Sequence, residues 1–350
     1  MAAIRPRDLL TDGLLERLGR GDRPAGDIAL LAEAGYLNVA LPPEFGGLGC
    51  TLRQAACGQR RLARHAPDTA LAVSAHLYWT GAAADAHRAG DESMRWILAE
   101  AARGALFAGG HGEPGGDLRF ADPRSRCEPA ADSGYQFRDP GVLSTSTPAW
   151  DWIAVHAVHA VGRAGRPQSV IAFAGRASGR TPAFRVARVS AAGTPGDVFT
   201  TSALTWGHSI LASVQYSDAR RAFNDAITAY AEAATAAAFA DPAIPPARAD
   251  SAPAADAPAA APAARPAETG RPAGRWPVAE AGVLLDAMKA KIAEITHPWQ
   301  LLQAPAPDLG GQHLISLHAM RHEVAEGAAT VHALAGQLTG PPAPARPLSM

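Results

Sequence analysis

The segment GHGEPGGD at residues 110–117 combines the residue types that bring backbone atoms close to a bound ligand. Its glycines have no Cβ, so their N–H groups can approach a planar or anionic group closely. Pro114 fixes a turn, and the carboxylates of Glu113 and Asp117 can accept hydrogen bonds. We expect a ligand-binding loop here. An ordinary turn between two domains is the alternative, because glycine and proline also mark turns.

The segment VLSTSTPAWDWIAV at residues 142–155 places four consecutive hydroxyl residues before an apolar run that contains Trp150 and Trp152. Hydroxyl groups at the end of a strand can hydrogen-bond the polar edge of a heterocycle, and indole rings can stack on its face. The alternative is a turn stabilised by serine and threonine side chains, with both tryptophans in the core or an interface.

The segment TWGHSIL at residues 205–211 begins like the hydrolase motif G-x-S-x-G. Gly207 and Ser209 occupy its first and third positions, but Leu211 occupies the fifth. The segment also leads into a predicted strand, whereas the nucleophile of that motif lies between a strand and a helix. We therefore do not expect a serine hydrolase.

A second weak pattern consists of His318, His322 and Glu326, which lie four residues apart on a predicted helix and share one face. A zinc site needs three or four ligands, no other segment supplies them at a recognisable spacing, and H-E-x-x-H is absent. We expect no metal site. His156 and His159, in a predicted strand, should satisfy local hydrogen bonds.

The composition excludes several classes of partner. The 350 residues suggest two or three domains, and 32 Lys and Arg against 33 Asp and Glu give no reason to expect nucleic acid or an anionic membrane. Cys50, Cys57 and Cys127 show no C-x-x-C spacing, which is typical of a reducing compartment. No signal peptide or apolar run of about 18 residues occurs, so we expect a soluble, cytoplasmic protein.

The first third of the chain has helical periodicity. In ESMRWILAEAARGAL, Met94, Ile97, Leu98 and Ala101 line one face of a predicted helix. The segment DIALLAEAGYL predicts a shorter helix that is capped by Asp27 and ends at Gly35. These patterns predict an N-terminal α-helical domain at residues 1–107.

Short apolar runs rich in Val, Ile, Phe and Trp follow. They predict strands at residues 152–161, 169–174, 184–189 and 211–216. The intervals between them are too short for helical crossovers, so we expect an antiparallel, barrel-like sheet. This middle domain is predicted at residues 108–218.

Helical patterns return in the C-terminal third. A helix is predicted at residues 219–240, followed by an Ala/Pro-rich linker at 241–275 that contains too few large apolar side chains to fold. Two further helices are predicted at 278–295 and 313–338, and the second repeats apolar residues every seven positions at Leu317, Val324, Val331 and Leu338. Such a stripe requires helical neighbours, so we expect an α-helical bundle at 219–340.

This order of elements resembles the acyl-CoA dehydrogenase family. The segment AGYLNVALPPEFGGLG is similar to the family pattern G-(x)n-P-x-E-x-G-G-x-G through Gly35, Pro42, Glu44, Gly46, Gly47 and Gly49. The resemblance implies an α+β fold, in which an N-terminal α-helical domain, a middle antiparallel β barrel and a C-terminal α-helical bundle together hold FAD. It also implies that this segment is a tight loop between helices.

Three further segments resemble motifs of that family. GEPGGD is similar to T-E-P-x-x-G-S-D, DPGVLST to G-x-K-x-(F/W)-(I/S)-T, and GHSILAS to G-M-R-x-T-x-S, which it matches at Gly207 and Ser213. The resemblance implies that Ser144 and Thr145 hydrogen-bond the edge of the isoalloxazine ring. It also implies a facing loop formed by Gly112, Glu113, Gly116 and Asp117.

The family's catalytic base has no match in this sequence. Dehydrogenases of the family use a glutamate to remove the α-proton while FAD accepts the β-hydride. One family position for this glutamate lies beyond the last predicted helix, where the chain continues in prolines, and near the other position only Glu232 occurs, without a convincing alignment. The catalytic residue is therefore not predicted.

Three functions remain open. The first is an FAD-dependent, acyl-CoA dehydrogenase-like oxidoreductase that acts on CH–CH groups of an acyl-CoA or related small molecule. The second is a flavin-dependent monooxygenase of the same fold, which needs no glutamate base. The third is a catalytically silent subunit that pairs with a complete homologue. Each implies a homo- or hetero-oligomer.

Overall fold

A computed structural model of the chain describes residues 4–19, 24–109, 126–129, 135–138, 150–159, 168–176, 184–191, 198–239, 275–301 and 310–339. The helices of its N-terminal part are α1 (Pro6–Leu9), α2 (Asp12–Leu15), α3 (Pro24–Glu33), α4 (Leu52–His65), α5 (Pro67–Arg88) and α6 (Arg95–Ala102). The predicted helical N-terminal third is therefore confirmed. No helix within these described ranges has the length and apolarity needed to cross a membrane.

The start of α3 differs from the prediction. The helix begins at Pro24, so Asp27 lies in its first turn and does not precede it. The Asp27 carboxylate instead accepts hydrogen bonds from the backbone N–H of Gly19, at 2.9 Å, and from the Thr69 hydroxyl. Asp27 thus links α3 to α5, while Gly35, with φ of 75°, ends the helical segment as predicted.

The segment PPEFGGLG is a tight loop between α3 and α4, as the family resemblance implied. A 3-10 turn at Pro43–Phe45 is followed by Gly46, whose φ of 80° favours glycine. A Cβ at Gly47 would lie 2.1 Å from the carbonyl oxygen of Leu41, so only glycine fits. The Glu44 carboxylate lies 2.9 Å from Nε2 of His87 and ties the loop to α5.

The strands are β1 (Phe107–Gly109), β2 (Arg126–Pro129), β3 (Tyr135–Arg138), β4 (Trp152–His159), β5 (Gln168–Gly175) and β6 (Phe184–Ala191). The predicted strands at 152–161, 169–174 and 184–189 are confirmed by β4, β5 and β6. The sheet order is β3-β2-β4-β5-β6, and β1 also pairs with β4.

The sheet is mixed, whereas a fully antiparallel barrel was expected. β1 and β2 both run parallel to β4, and the β2–β3, β4–β5 and β5–β6 pairs are antiparallel. Both parallel pairs join strands that do not follow each other along the chain, since β2 and β3 lie between β1 and β4, and β3 lies between β2 and β4. The short intervals between predicted strands could indicate only how consecutive strands pair, and the consecutive pairs β4–β5 and β5–β6 are antiparallel as expected. Closure into a barrel is not seen among the described strands.

The predicted strand at 211–216 is wrong, because these residues lie inside a helix, α7 (Val198–Phe239). Alternation of Ala212, Val214 and Tyr216 with Ser213 suggested a strand, but all four side chains are buried. A helix buried on every side has no apolar period for the sequence to show. The predicted domain boundary at residue 219 falls within α7, as does the Gly207–Ser213 segment compared with the family motif.

Two more helices, α8 (Arg275–Leu301) and α9 (Gly310–Thr339), confirm the predicted C-terminal helices. Leu317, Val324 and Val331 of the seven-residue stripe are fully buried in the main core, and Leu338 packs at its edge. The stripe therefore has the helical neighbours that it requires. α8 exposes two large apolar side chains, Trp276 at 80 % and Val283 at 70 %.

A close contact between α5 and α7 fixes the spacing of these two helices. The Trp206 ring lies so near Gly81 that an added Cβ would be 2.4 Å from the indole. Both residues are fully buried, so the ring has no open space into which it could move.

We predict that Gly81→Ala lowers the free energy of unfolding by about 1–3 kcal/mol, because the methyl group must displace a packed indole. Urea unfolding followed by circular dichroism measures the change. Gly282→Ala is the matched control, since Gly282 is also helical but has open space around it. That variant should be neutral or more stable by up to about 1 kcal/mol. Equal effects of the two substitutions would contradict the assigned contact.

Candidate functional site

The six residues expected to bind flavin lie outside the described residues: Gly112, Glu113, Gly116, Asp117, Ser144 and Thr145. Their roles remain predictions. The structure describes the segments that flank them, from β1 before the first predicted loop to β4 after the second.

The residues that flank the two predicted loops pack together. Ala108 in β1 precedes the first loop, Phe137 in β3 precedes the second, and Trp150 follows the second. All three contact one small apolar cluster that includes Ile153 and Val155 of β4. The alternating residues of β1 and β4, such as Phe107 and Ala154, belong instead to the main core. Side chains that flank both predicted loops therefore pack on the same face of the sheet.

The two tryptophans of the second segment have different environments. Trp150 lies at the small cluster, and the Arg176 guanidinium is 5.2 Å from the centre of its ring, within the range of a cation–π contact. Trp152 packs in the main core, with its ring centre 5.2 Å from that of Trp96. Trp152 thus fits the core alternative, while Trp150 remains beside the predicted loop.

A buried histidine fixes the start of β1. His76 Nδ1 accepts the backbone N–H of Phe107 at 3.3 Å, so Nε2 carries the proton and donates to the carbonyl of Leu37 at 3.0 Å. Burial lowers the pKa of His76 from 6.5 to about 4. The neutral ring joins α5 both to the segment before PPEFGGLG and to the strand that leads into the first predicted loop.

Aromatic rings join the sheet to the start of α7. The Trp79 ring of α5 makes an edge contact with Phe173 of β5 at 5.0 Å and stacks on Phe199 of α7 at 5.9 Å. Phe173 pairs with Ala154 of β4, which in turn pairs with Gly109, the last described residue before the first loop. The N-terminal end of α7 therefore faces the part of the sheet from which that loop begins.

A buried carboxylate connects three helices. Asp85 Oδ2 accepts the indole N–H of Trp206 in α7 at 2.8 Å and that of Trp299 in α8 at 3.0 Å. Its other oxygen pairs with the guanidinium of Arg88. Burial raises the pKa of Asp85 above its ordinary value, whereas these donors act in the opposite direction.

A histidine lies on the far side of Trp299. The His313 ring stacks on the indole with a centre-to-centre distance of 5.3 Å and an interplanar angle of 22°. Its Nε2 is 2.9 Å from Oγ1 of Thr205, whose hydroxyl donates to the carbonyl of Thr201. Burial lowers the pKa of His313, so the imidazole is neutral near pH 7. Such a ring can accept a proton.

The other sequence patterns do not form sites. His318, His322 and Glu326 are exposed, and the described ranges contain no group of three metal-ligating side chains. Residues 205–211 lie inside α7, without the strand-to-helix turn that a hydrolase nucleophile needs. His159 makes a local contact as predicted, with Nδ1 3.3 Å from the carbonyl oxygen of Cys127.

The sequence analysis missed Asp85 and His313. Asp85 offered one signal, because it is the only acidic residue in a long run of small and apolar residues in α5. A buried acid in such a run requires donors from elsewhere. Those donors, Trp206 and Trp299, are 121 and 214 residues away, so short-range spacing could not identify them.

Comparison with solved structures shows which proteins this chain resembles. It is similar to a nitrososynthase from Micromonospora carbonacea var. africana, with a TM-score of 0.63, 16 % identity, and coverage of 96 % of this chain and 86 % of the other. It is also similar to KijD3 in complex with FMN and a dTDP-3-amino sugar, with a TM-score of 0.65, 18 % identity, and coverage of 96 % of this chain and 83 % of the other. The same fold is present here. No family model matches the sequence, and no curated protein does either.

A third similar structure is the complex of TdsC, a dibenzothiophene monooxygenase from Paenibacillus sp. A11-2, with FMN and indole. Its TM-score is 0.59 at 16 % identity, with coverage of 93 % of this chain and 83 % of the other. These neighbours share the acyl-CoA dehydrogenase-like fold, so that part of the sequence resemblance is confirmed.

We predict that His76 makes stability depend on pH. Between pH 6.5 and about 4 the unfolded chain binds a proton at His76 that the folded chain excludes. The free energy of unfolding should therefore fall by up to about 3 kcal/mol as the pH drops through this window. Urea unfolding at a series of pH values measures the slope.

His76→Gln should lower the free energy of unfolding at neutral pH. It should also remove the contribution of His76 to the pH dependence, so that the free energies of wild type and variant converge at acid pH. His322→Gln, on the exposed face of α9, is the control and should keep the slope of the wild type. Parallel pH profiles for wild type and His76→Gln would contradict the assignment.

Proposed function

We propose that this protein is a flavin-dependent monooxygenase that transfers one oxygen atom of O₂ to a small organic substrate. The observation that carries the proposal is the likeness of nearly the whole chain to a dibenzothiophene monooxygenase, a nitrososynthase and an FMN complex. Because the sequence identities are low, this likeness supports the fold and does not by itself support the chemistry. The chemistry is inferred from the fold together with the sequence.

The sequence supports an oxygenase over a dehydrogenase. A dehydrogenase of this fold needs a glutamate beside the flavin to remove the α-proton, and no glutamate here matches either family position. An oxygenase has no such requirement, because the reduced flavin reacts with O₂. The missing base therefore argues against acyl-CoA thioesters as substrates.

The flavin would be held by the two predicted loops, through Gly112, Glu113, Gly116 and Asp117 in one and Ser144 and Thr145 in the other. The described residues that flank these loops support a flat aromatic cofactor, because Trp150 and small apolar side chains pack together on one face of the sheet. We favour FMN over FAD because two of the similar structures contain FMN. When bound and reduced, the flavin would supply two electrons to O₂.

We infer that the substrates include small molecules with an N–H group. The amino sugar in the KijD3 complex and the indole in the TdsC complex both carry such a group, whereas dibenzothiophene, for which TdsC is named, does not. On this chain, we propose the neutral imidazole of His313 and the hydroxyl of Thr205 as groups that bind it, and these two side chains are in contact.

Two other functions keep specific support. An FAD-dependent, acyl-CoA dehydrogenase-like enzyme is favoured by the PPEFGGLG and GEPGGD motifs. A silent subunit of a hetero-oligomer is favoured by the exposed Trp276 and Val283 on α8, which offer an apolar surface to another chain.

We predict that the purified protein binds FMN and shows the visible absorption of a flavin. Thr145→Val should weaken FMN binding by about tenfold, because one hydrogen bond to the ring edge is lost. Fluorescence titration with FMN and with FAD measures both affinities. Thr330→Val, on the exposed face of α9, is the control and should bind FMN like the wild type. A colourless protein that binds neither flavin would refute the cofactor assignment.

We also predict that the chemically reduced holoenzyme consumes O₂ rapidly and transfers one labelled oxygen atom to a substrate. Indole, dibenzothiophene and a dTDP-amino sugar are the probes, and mass spectrometry detects the label. A panel of acyl-CoA thioesters should not bleach the oxidised flavin under anaerobic conditions. Bleaching by a thioester, together with slow reaction of the reduced flavin with O₂, would assign the dehydrogenase instead.

A further inference from the structure

We propose that His313 contacts the N–H group of the substrate and accepts its proton through Nδ1, held in place by Thr205, Trp299 and Asp85. This inference rests on the proposed monooxygenase function and assigns the proton acceptor that the sequence analysis could not find. Asp85 and Trp299 act as positioning residues, because they affect the substrate only through the imidazole.

The hydrogen bonds of Thr205 fix the tautomer of His313. The Thr205 hydroxyl donates its one proton to the carbonyl oxygen of Thr201 at 2.8 Å. Its oxygen can then only accept from His313, at 2.9 Å, so Nε2 of the imidazole carries the proton. The lone pair of a neutral imidazole is therefore on Nδ1, the atom that this bond leaves available.

Stacking on Trp299 fixes the plane of the ring. The indole is 5 % exposed and its own N–H donates to Asp85 at 3.0 Å, so it cannot rotate without breaking a buried hydrogen bond. His313 packs on this indole at 5.3 Å. A buried carboxylate thus orients a half-buried imidazole through one intermediate ring.

The location supports contact with a substrate beside the flavin. His313 lies in the first turn of α9, and Trp299 lies near the last residue of α8. Thr205 is six residues beyond Phe199, or about 9 Å along α7. Phe199 stacks on Trp79, which contacts Phe173 of β5, so the part of α7 that carries Thr205 begins beside the sheet.

The electrostatic surroundings keep the imidazole neutral. Its contacts on α7 and α8 are to Thr205 and Trp299, which carry no charge. Trp299 also hydrogen-bonds the carboxylate of Asp85, and this carboxylate is paired with Arg88 of the same helix. Burial then disfavours the protonated ring, so His313 enters the reaction as a base.

The proposed step balances for an amine substrate. The amine, O₂ and the reduced flavin give the hydroxylamine, water and the oxidised flavin. A nitrogen–oxygen bond forms and the oxygen–oxygen bond breaks, with two electrons from the flavin and two from the amine. His313 removes the proton that the nitrogen loses, and that proton leaves with the second oxygen atom as water.

The first test compares His313→Gln with wild type in the FMN-loaded enzyme, with a dTDP-amino sugar and indole as probes. We expect kcat/KM to fall by about 100-fold or more and the acid limb of its pH profile to disappear, while FMN affinity is unchanged. Thr205→Val should give a smaller loss, because the ring can then adopt either tautomer. The matched control is His322→Gln, an exposed histidine on the same helix, which should behave like wild type.

The second test needs no turnover. In protein with isotope-labelled histidine, NMR should show His313 as the neutral Nε2–H tautomer, and its Nδ1 resonance should shift when either probe is added. Unchanged turnover in His313→Gln, loss of FMN binding in that variant, or an Nδ1 resonance that neither probe moves would overturn the proposal. A wild-type protein that binds no flavin would instead refute the proposed function.

Discussion

The buried carboxylate of Asp85 is the interaction on which the described arrangement of helices depends. A carboxylate removed from water is strongly unfavourable unless donors surround it, and removal of one partner from such a group costs several kcal/mol. Here the donors come from α5, α7 and α8, so the carboxylate is satisfied only when all three helices occupy their observed positions. Gly81 makes this geometry accessible, because it allows the Trp206 ring to lie against α5.

The same network connects packing to the candidate chemistry. Trp299 is oriented by Asp85 and in turn orients His313, while Thr205 selects the tautomer of that histidine. On the same helix as Asp85, His76 holds the strand that leads into the first predicted flavin loop. Buried polar groups of α5 therefore position both this strand and the imidazole that we propose as the proton acceptor.

The sequence predicted the helices, strands and loops whose patterns depend on residues close together in the chain. Periodicity identified α6, α8, α9 and strands β4 to β6, and the glycines of PPEFGGLG marked a loop that admits no larger residue at Gly47. The helix predicted at 219–240 matched the second half of α7, but the prediction failed for the first half, where residues 199–210 are all buried and show no apolar period. It also failed for β1, whose parallel partner is separated from it by a hairpin. Asp85 and His313 escaped notice because their partners are more than a hundred residues away in the chain.

The distance along the chain between Asp85 and Trp299 also affects folding during synthesis on the ribosome. The two residues are 214 positions apart, and a ribosome adds roughly 5–20 residues per second. The N-terminal helices therefore leave the ribosome roughly 10–40 seconds before the last donor to the Asp85 carboxylate exists. During that interval the apolar side of α5 that later receives α7 is uncovered, and this surface exposes newly synthesised chains to association with one another.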